Sequence, residues 1–237
     1  MYQTHKTFIR PGAKMLDLIS ENPLLLLLLE HLEIDFIVDD KTVNQICSEN
    51  NIGTPEFLLL ANIYNGFYPD EEALDSVEDV GLILRFLKNS HHYYKNDKYP
   101  EIRELIKKLQ SRHDSKDIRL IEEFFANYFE EVLEHLNYED EVAFPHFKSL
   151  IGNRHAAKAN NYCANDYREH HTDIETKLAD LKNLLLKHIT LENDLSNRRK
   201  FLFSLFELEF DLNIHVIVEE KVLLPIIDRI ENSRLHG

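Results

Sequence analysis

The chain has 237 residues, of which 43% are hydrophobic, and it contains only 6 glycines and 7 prolines. Long stretches consist of Leu, Glu, Lys and Asp, a composition that favours helices over strands and predicts an all-α protein. The formal net charge of −15 argues against nucleic acid and anionic membrane surfaces as partners, because polyanions would be repelled.

The most conspicuous apolar run covers residues 24–29. It is far shorter than the roughly 20 residues that cross a bilayer, so it predicts a buried helix face and no membrane partner. The first ten residues are followed by no apolar region or cleavage site of a secretory signal, and a cytoplasmic location is therefore expected. Cys47 and Cys163 form no CxxC motif, which predicts neither a disulfide framework nor a thiolate metal site.

Residues 12–69 are predicted to form a small helical N-terminal domain. Gly53, Thr54 and Pro55 break the chain, with Thr54 placed to cap a helix that begins at Pro55. Gly66 and Pro69 end that helix, which sets a domain boundary near residue 70.

Residues 70–237 are predicted to form a four-helix bundle. Apolar residues recur at spacings of three and four over residues 77–110, 115–144, 166–189 and 195–230, with Pro100 bending or restarting the first of these segments. The short polar connections favour antiparallel neighbours and hence an up-down arrangement.

Two of these segments contain the same histidine and glutamate pattern. His135 and Glu139 lie in the second segment and His215 and Glu219 in the fourth, each pair four residues apart, and a proline follows each histidine by ten residues. Side chains at i and i+4 lie one above the other on a helix, so each pair directs an imidazole and a carboxylate at one point. A metal ion held between the helices would offset the cost of burying the glutamates.

The other two segments each contain adjacent histidines, His91-His92 and His170-His171. Apolar residues follow His171 at +3, +7 and +10, so the helical period favours His171 over His170 as a ligand. In the first segment the preceding leucines align with either histidine, and the residue pattern leaves that choice open.

Acidic residues one turn from the histidines are candidates for supporting roles. Glu131 and Asp211 each precede a histidine by four residues and could accept a hydrogen bond from its ring N–H. The alternative for both is a solvent-facing helix charge. Glu175, one turn after His171, is a candidate third carboxylate near the metal.

From residue 12 to its end, the chain resembles the Repair of Iron Centres family, whose members join a small helical N-terminal domain to a hemerythrin-like di-iron bundle. The resemblance rests on His92 eight residues before Pro100, on the two histidine–glutamate pairs with their following Phe-Pro and Leu-Pro, and on the surroundings of His171. It implies a hemerythrin-like up-down bundle with two non-haem iron ions in an oxo- and carboxylate-bridged centre. The implied terminal ligands are His92, His135, His171 and His215, and the implied bridging ligands are Glu139 and Glu219. Imidazole ligands also suit zinc, copper and nickel, so the ligand types leave the metal open.

Residues 32–41 resemble the N-terminal domain of the same family, with one departure. Where the family has adjacent cysteines and then glycines, this chain has Ile37-Val38 and Asp39-Asp40. The chain therefore lacks the thiols that would receive or pass iron, and the domain is expected to act as a packing or partner-binding module.

The resemblance implies a protein that supports repair of iron–sulfur and other iron centres after nitrosative or oxidative stress, with iron-containing proteins as acceptors. The alternative is a sensing module in which the centre binds O2 or NO and the N-terminal domain relays its state to a partner. A third hypothesis is redox catalysis, such as reduction of NO or peroxide. The missing cysteines weaken the first hypothesis and leave the second untouched. A homodimer is a further expectation.

Overall fold

The computed structural model describes residues 7–112, 116–152, 163–164, 167, 174–187 and 194–235. Most of the residues in these ranges lie in helices, and the one β pairing among them is an isolated antiparallel bridge between Lys14 and Thr42. The predicted all-α helical bundle class is confirmed. None of the described helices is both long enough and apolar enough to span a bilayer.

The N-terminal part contains five short helices. They are α1 (Met15–Glu21), α2 (Leu25–His31), α3 (Val43–Glu49), α4 (Thr54–Tyr64) and α5 (Glu71–Asp75). The apolar run at residues 24–29 enters α2, where four leucines are buried as predicted. These leucines lie against α4, which also packs on α3.

The ends of these helices follow local capping chemistry. Thr42 and Gln45 form a reciprocal capping box at the start of α3. The structure places the N-cap of α4 at Gly53, one residue before the predicted Thr54, and Pro55 lies in the first turn where its missing N–H has no helical partner to lose. Gly66, with φ +82°, ends the helix in the left-handed conformation that glycine adopts readily.

The loop before α3 contains the residues that replace the expected cysteine pair. Ile34 and Val38 are buried, whereas Ile37 is 73% exposed. Asp39 has φ +46°, a conformation that a glycine adopts at lower cost. Of the two positions, one therefore belongs to the core and the other to the surface.

The other helices in the described part of the chain run from residue 80 onward. They are α6 (Val80–Tyr93), α7 (Tyr99–Arg112), α8 (Lys116–Tyr138), α9 (Phe144–Gly152), α10 (Ile174–Lys187), α11 (Leu195–Val218) and α12 (Leu224–Leu235). Five-residue π-helical turns join α6 to α7, α8 to α9 and α11 to α12. Each joined pair forms one long interrupted helix, as the predicted segments require.

Helix α8 shows how the apolar stripe is used. Its buried residues recur at three and four positions, and they are Ile118, Ile121, Phe125, Tyr128, Val132 and Leu136. Phe129, the residue after Tyr128, is only half-buried and stacks on Tyr99 with ring centroids 4.1 Å apart. Helices α7 and α10 both pack against α8.

The chain divides into two compact units. One comprises Met1–Ser90, Pro145–Ala164 and Ile214–Gly237, and the other His91–Phe144 and Asn165–Asn213. The division falls within helices α6, α9 and α11. The domain boundary near residue 70 stays a prediction.

Candidate metal centre

The three π-helical turns share one position relative to a proline. They cover Tyr94–Lys98, Glu139–Ala143 and Glu219–Leu223, and each begins six residues before a proline. The N–H after each turn donates to the carbonyl five residues earlier rather than four. A proline inside a helix cannot donate and clashes with the carbonyl four residues back, so a widened turn before it accommodates the ring. Two of the turns begin at the predicted glutamate ligands.

Glu139 lies at the centre of the first cluster. Its carboxylate is 1% exposed, Oε1 lies 3.1 Å from Nε2 of His135, and Oε2 lies 3.3 Å from Nε2 of His91. The hydroxyl of Tyr167 donates to Oε1 over 2.6 Å. Burial raises the pKa of Glu139, but the adjacent His135 and His91 rings hold it well below its usual range.

His91 is oriented from its other side by Asp140. Nδ1 of His91 lies 3.0 Å from Oδ1 of Asp140, and Nζ of Lys95 donates to Oδ2 over 2.7 Å. Burial lowers the pKa of His91, but the carboxylates of Asp140 and Glu139 raise it to about 9. Because an ionised carboxylate can only accept, Nδ1 carries a hydrogen and Nε2 is the nitrogen directed at Glu139.

The second histidine–glutamate pair is equally buried. Nε2 of His215 lies 3.1 Å from Oε1 of Glu219, and both side chains are at most 3% exposed. Nδ1 of His215 lies 2.8 Å from the hydroxyl of Ser90. In each predicted pair, the histidine and the glutamate four residues later are therefore in contact along one helix.

The contact between His91 and Glu139 is suited to a cation between the two side chains. With Nδ1 protonated, a neutral His91 would face Oε2 of Glu139 with a lone pair, and two lone pairs 3.3 Å apart repel. Oε2 accepts no hydrogen bond from the described residues. A proton or a metal ion between the two atoms removes the repulsion. Imidazole and carboxylate together form a donor set that first-row transition metals bind.

Four of the buried side chains are candidate metal ligands. His91 and Glu139 belong to one compact unit, and His215 and Glu219 belong to the other. The structure thus supports a metal-binding site. The roles of individual residues as ligands stay predictions.

The structure distinguishes the two adjacent histidines of the first bundle helix. His91 is 1% exposed and contacts Glu139, whereas His92 is exposed and its Nδ1 lies 3.0 Å from the amide of Asn96 on the same helix. One residue turns a helix by about 100°, so only one of the two can face the cluster. The structure brings His91, and not the predicted His92, to the cluster. The predicted ligand His171 lies outside the described residues, as does the side chain of Glu175.

The acidic residues predicted to support the histidines have other partners. Glu131 is exposed and forms an ion pair with Lys177. Asp211 is buried and accepts a hydrogen bond from the Tyr94 hydroxyl over 2.9 Å. For Glu131 the alternative of a solvent-facing helix charge agrees with its position.

Three supporting residues were absent from the sequence prediction. Asp140 directly follows Glu139 and gave no separate signal, and Tyr167 lies in a different segment from Glu139, 28 residues farther along the chain. Ser90 had a signal, because it precedes Pro100 by the same ten residues that separate His135 and His215 from their prolines.

The fold and the cluster define a class of protein: a helical bundle with buried histidines and carboxylates arranged for a cation. The sequence matches the family model of the hemerythrin HHE cation-binding domain over residues 82–227. The chain belongs to this family. The comparison with curated proteins gave no match. Membership of the Repair of Iron Centres group stays a prediction.

Proposed function

We propose that this chain binds two non-haem iron ions through the buried cluster and uses them to maintain or repair iron centres under nitrosative or oxidative stress. The observation that carries the metal site is that buried imidazole nitrogens lie 3.1 to 3.3 Å from the buried carboxylates of Glu139 and Glu219. His135, whose Nε2 lies 3.1 Å from Glu139, and His171, implied by the resemblance, complete the proposed ligand set. Glu139 and Glu219 are proposed as the bridging carboxylates.

In this proposal His91 takes the place that the resemblance gives to His92. Its burial and its contact with Glu139 support the exchange. The chain offers a matched test, because the two histidines are adjacent and differ mainly in the direction they face. His91→Ala should lower the iron retained per chain, whereas His92→Ala should leave it unchanged. The reverse result would return the ligand role to His92.

The chain's own residues prepare the site for a metal. Asp140 and Ser90 each contact the Nδ1 of a histidine, which leaves Nε2 for the ion. Tyr167 donates to Glu139 and limits the orientations of that carboxylate. Bound iron would supply one-electron redox chemistry and a place for a small ligand such as O2 or NO.

Repair and maintenance require that iron can leave the site. The direct assay is the appearance of iron in an apo iron–sulfur acceptor after mixing with the iron-loaded chain, with and without NO exposure. Transfer by the unmodified chain would support repair and show that the missing cysteine pair is dispensable. The absence of transfer under any condition would refute the repair proposal.

A second candidate, sensing of O2 or NO, is favoured by one observation. Val38, at one of the two positions where the family has cysteines, lies in the core at 5% exposure, which is a packing role rather than a reactive one. A sensor should retain its iron through repeated cycles of ligand binding and release. Replacing Ile37 and Val38 by cysteine should then leave iron retention unchanged, whereas in a repair protein it should speed transfer to the acceptor.

A further inference from the structure

Ser90 occupies an unusual position beside the proposed ligands. It is 1% exposed in helix α6, and its Oγ makes two short contacts. The hydroxyl donates to the carbonyl of Leu87 over 2.7 Å, and the same oxygen lies 2.8 Å from Nδ1 of His215. Both contacts fall within the usual range for hydrogen bonds.

The number of hydrogens decides the direction of the second contact. A serine hydroxyl has one hydrogen, and the Leu87 carbonyl can only accept, so that hydrogen is used in the first bond. The oxygen can then only accept in the second bond. Nδ1 of His215 must supply the hydrogen, which leaves Nε2 of the neutral ring with its lone pair on the side of Glu219.

We infer that Ser90 is a positioning residue that fixes His215 in its Nδ1–H form and so presents Nε2 to the metal. Groups that orient the far nitrogen of a metal-bound histidine set both its tautomer and its direction. The predicted effect of Ser90 on metal affinity rests on the proposed function. The assignment of the tautomer itself rests only on the contacts of Ser90 and His215.

The register of the helices agrees with this role. Ser90 precedes Pro100 by ten residues, as His135 and His215 precede their prolines, and Tyr94 precedes Pro100 by six, as the two glutamates do. The first bundle helix therefore repeats the pattern with a serine and a tyrosine in place of the ligands. Ser90 takes the position that His135 and His215 occupy in the other two segments. Its hydroxyl contacts the imidazole of His215.

The tautomer can be measured without a metal. We would record long-range 1H–15N correlation spectra of the metal-free chain labelled at histidine, from pH 6 to pH 9, and assign His215 from the signal lost in His215→Gln. Nδ1 of His215 should carry a proton throughout. In Ser90→Ala the neutral ring should redistribute toward the Nε2–H form, and Ser90→Thr should restore the Nδ1–H form. An unprotonated Nδ1 in the unmodified chain, or spectra unchanged by Ser90→Ala, would overturn the inference.

The effect of Ser90 on metal affinity can be tested against a matched control variant. Ser90→Ala should weaken Fe(II) binding about 10- to 100-fold in competition with a chelator, and Ser90→Thr should recover most of it. Ser204→Ala removes a hydroxyl that is also buried and has no hydrogen-bond partner among the described residues, so it should leave affinity unchanged. Equal losses in the two alanine variants would assign the effect to packing and overturn the role of Ser90. If the expected tautomer is found in a chain that binds no metal, the proposed function fails and the assignment of Ser90 stands.

Discussion

Glu139→Gln in the metal-free chain tests the electrostatics of the cluster. The surroundings of His91 raise its pKa from the ordinary 6.5 to about 9 in the folded chain. A group whose pKa is raised by folding stabilises the fold fully below its unfolded value, and this contribution is lost as the pH rises through the folded value. The stability contributed by protonated His91 should therefore be complete near pH 6 and mostly absent above pH 9.

The size of the effect follows from the difference between the two values. One unit of pKa corresponds to about 1.4 kcal/mol, so this group contributes at most about 3 kcal/mol between pH 6 and pH 9.5. Glutamine keeps the shape of Glu139 but removes its charge, which leaves Asp140 alone to stabilise the imidazolium. The variant should be less stable than the unmodified chain at pH 6. At pH 9.5 the deficit should shrink or reverse, because a buried Glu139 then has no cation to offset its charge.

The assay is urea denaturation followed by circular dichroism at several pH values, with a chelator present to keep the chain metal-free. Glu130→Gln is the matched control, since Glu130 is exposed on the same helix and should not alter the pH dependence. Parallel curves of unfolding free energy against pH for Glu139→Gln and the unmodified chain would refute the reasoning.

Leu136→Ala, at a fully buried position of helix α8, should destabilise the chain by about 2–5 kcal/mol in urea denaturation, because it opens a cavity; a smaller loss would mean that the stripe is not tightly packed. Tyr167→Phe removes the hydroxyl bonded to Glu139 and should lower Fe(II) affinity about 10- to 100-fold in a chelator competition, with an unchanged circular dichroism spectrum. Thr42→Ala breaks a capping box and should cost about 1 kcal/mol of unfolding free energy while leaving the iron bound per chain unchanged. Metal affinity should rise with pH up to about 9, because binding displaces the proton of His91; an affinity independent of pH would exclude His91 as a ligand.

The two histidine–glutamate pairs were accessible from sequence because helical geometry leaves little choice. Residues four apart on one helix contact each other wherever the helix lies, so His135–Glu139 and His215–Glu219 follow from spacing alone. The helical class followed equally directly from composition and period. Neither inference needed to know how the helices are arranged in space.

The choice between His91 and His92 depended on the helix phase, which the sequence left open. In the structure Ile83, Leu87 and His91 follow one another at intervals of four and are each at most 1% exposed. The leucines of this helix are compatible with either histidine, and the resemblance aligned the segment by its distance to Pro100. His91, the histidine that contacts Glu139, is one residue farther from Pro100 than His92 is.

The π-helical turns and the supporting residues required more than local spacing. Three prolines in a common register were visible, but the widened turns before them depend on how each helix continues after the proline. Tyr167 and Ser90 act on residues 28 and 125 positions away in the chain. Contacts at such separations follow from tertiary packing, which the pattern of one segment does not contain.

The number of iron ions held by the chain tests the central claim most directly. The chain would be loaded with Fe(II) under anaerobic conditions, separated from free metal by gel filtration, and analysed for every transition metal per chain. The account predicts about two irons per chain, lowered in His91→Ala and Glu139→Gln and unchanged in His92→Ala. One tightly held zinc with no iron, or full iron content in Glu139→Gln, would contradict it.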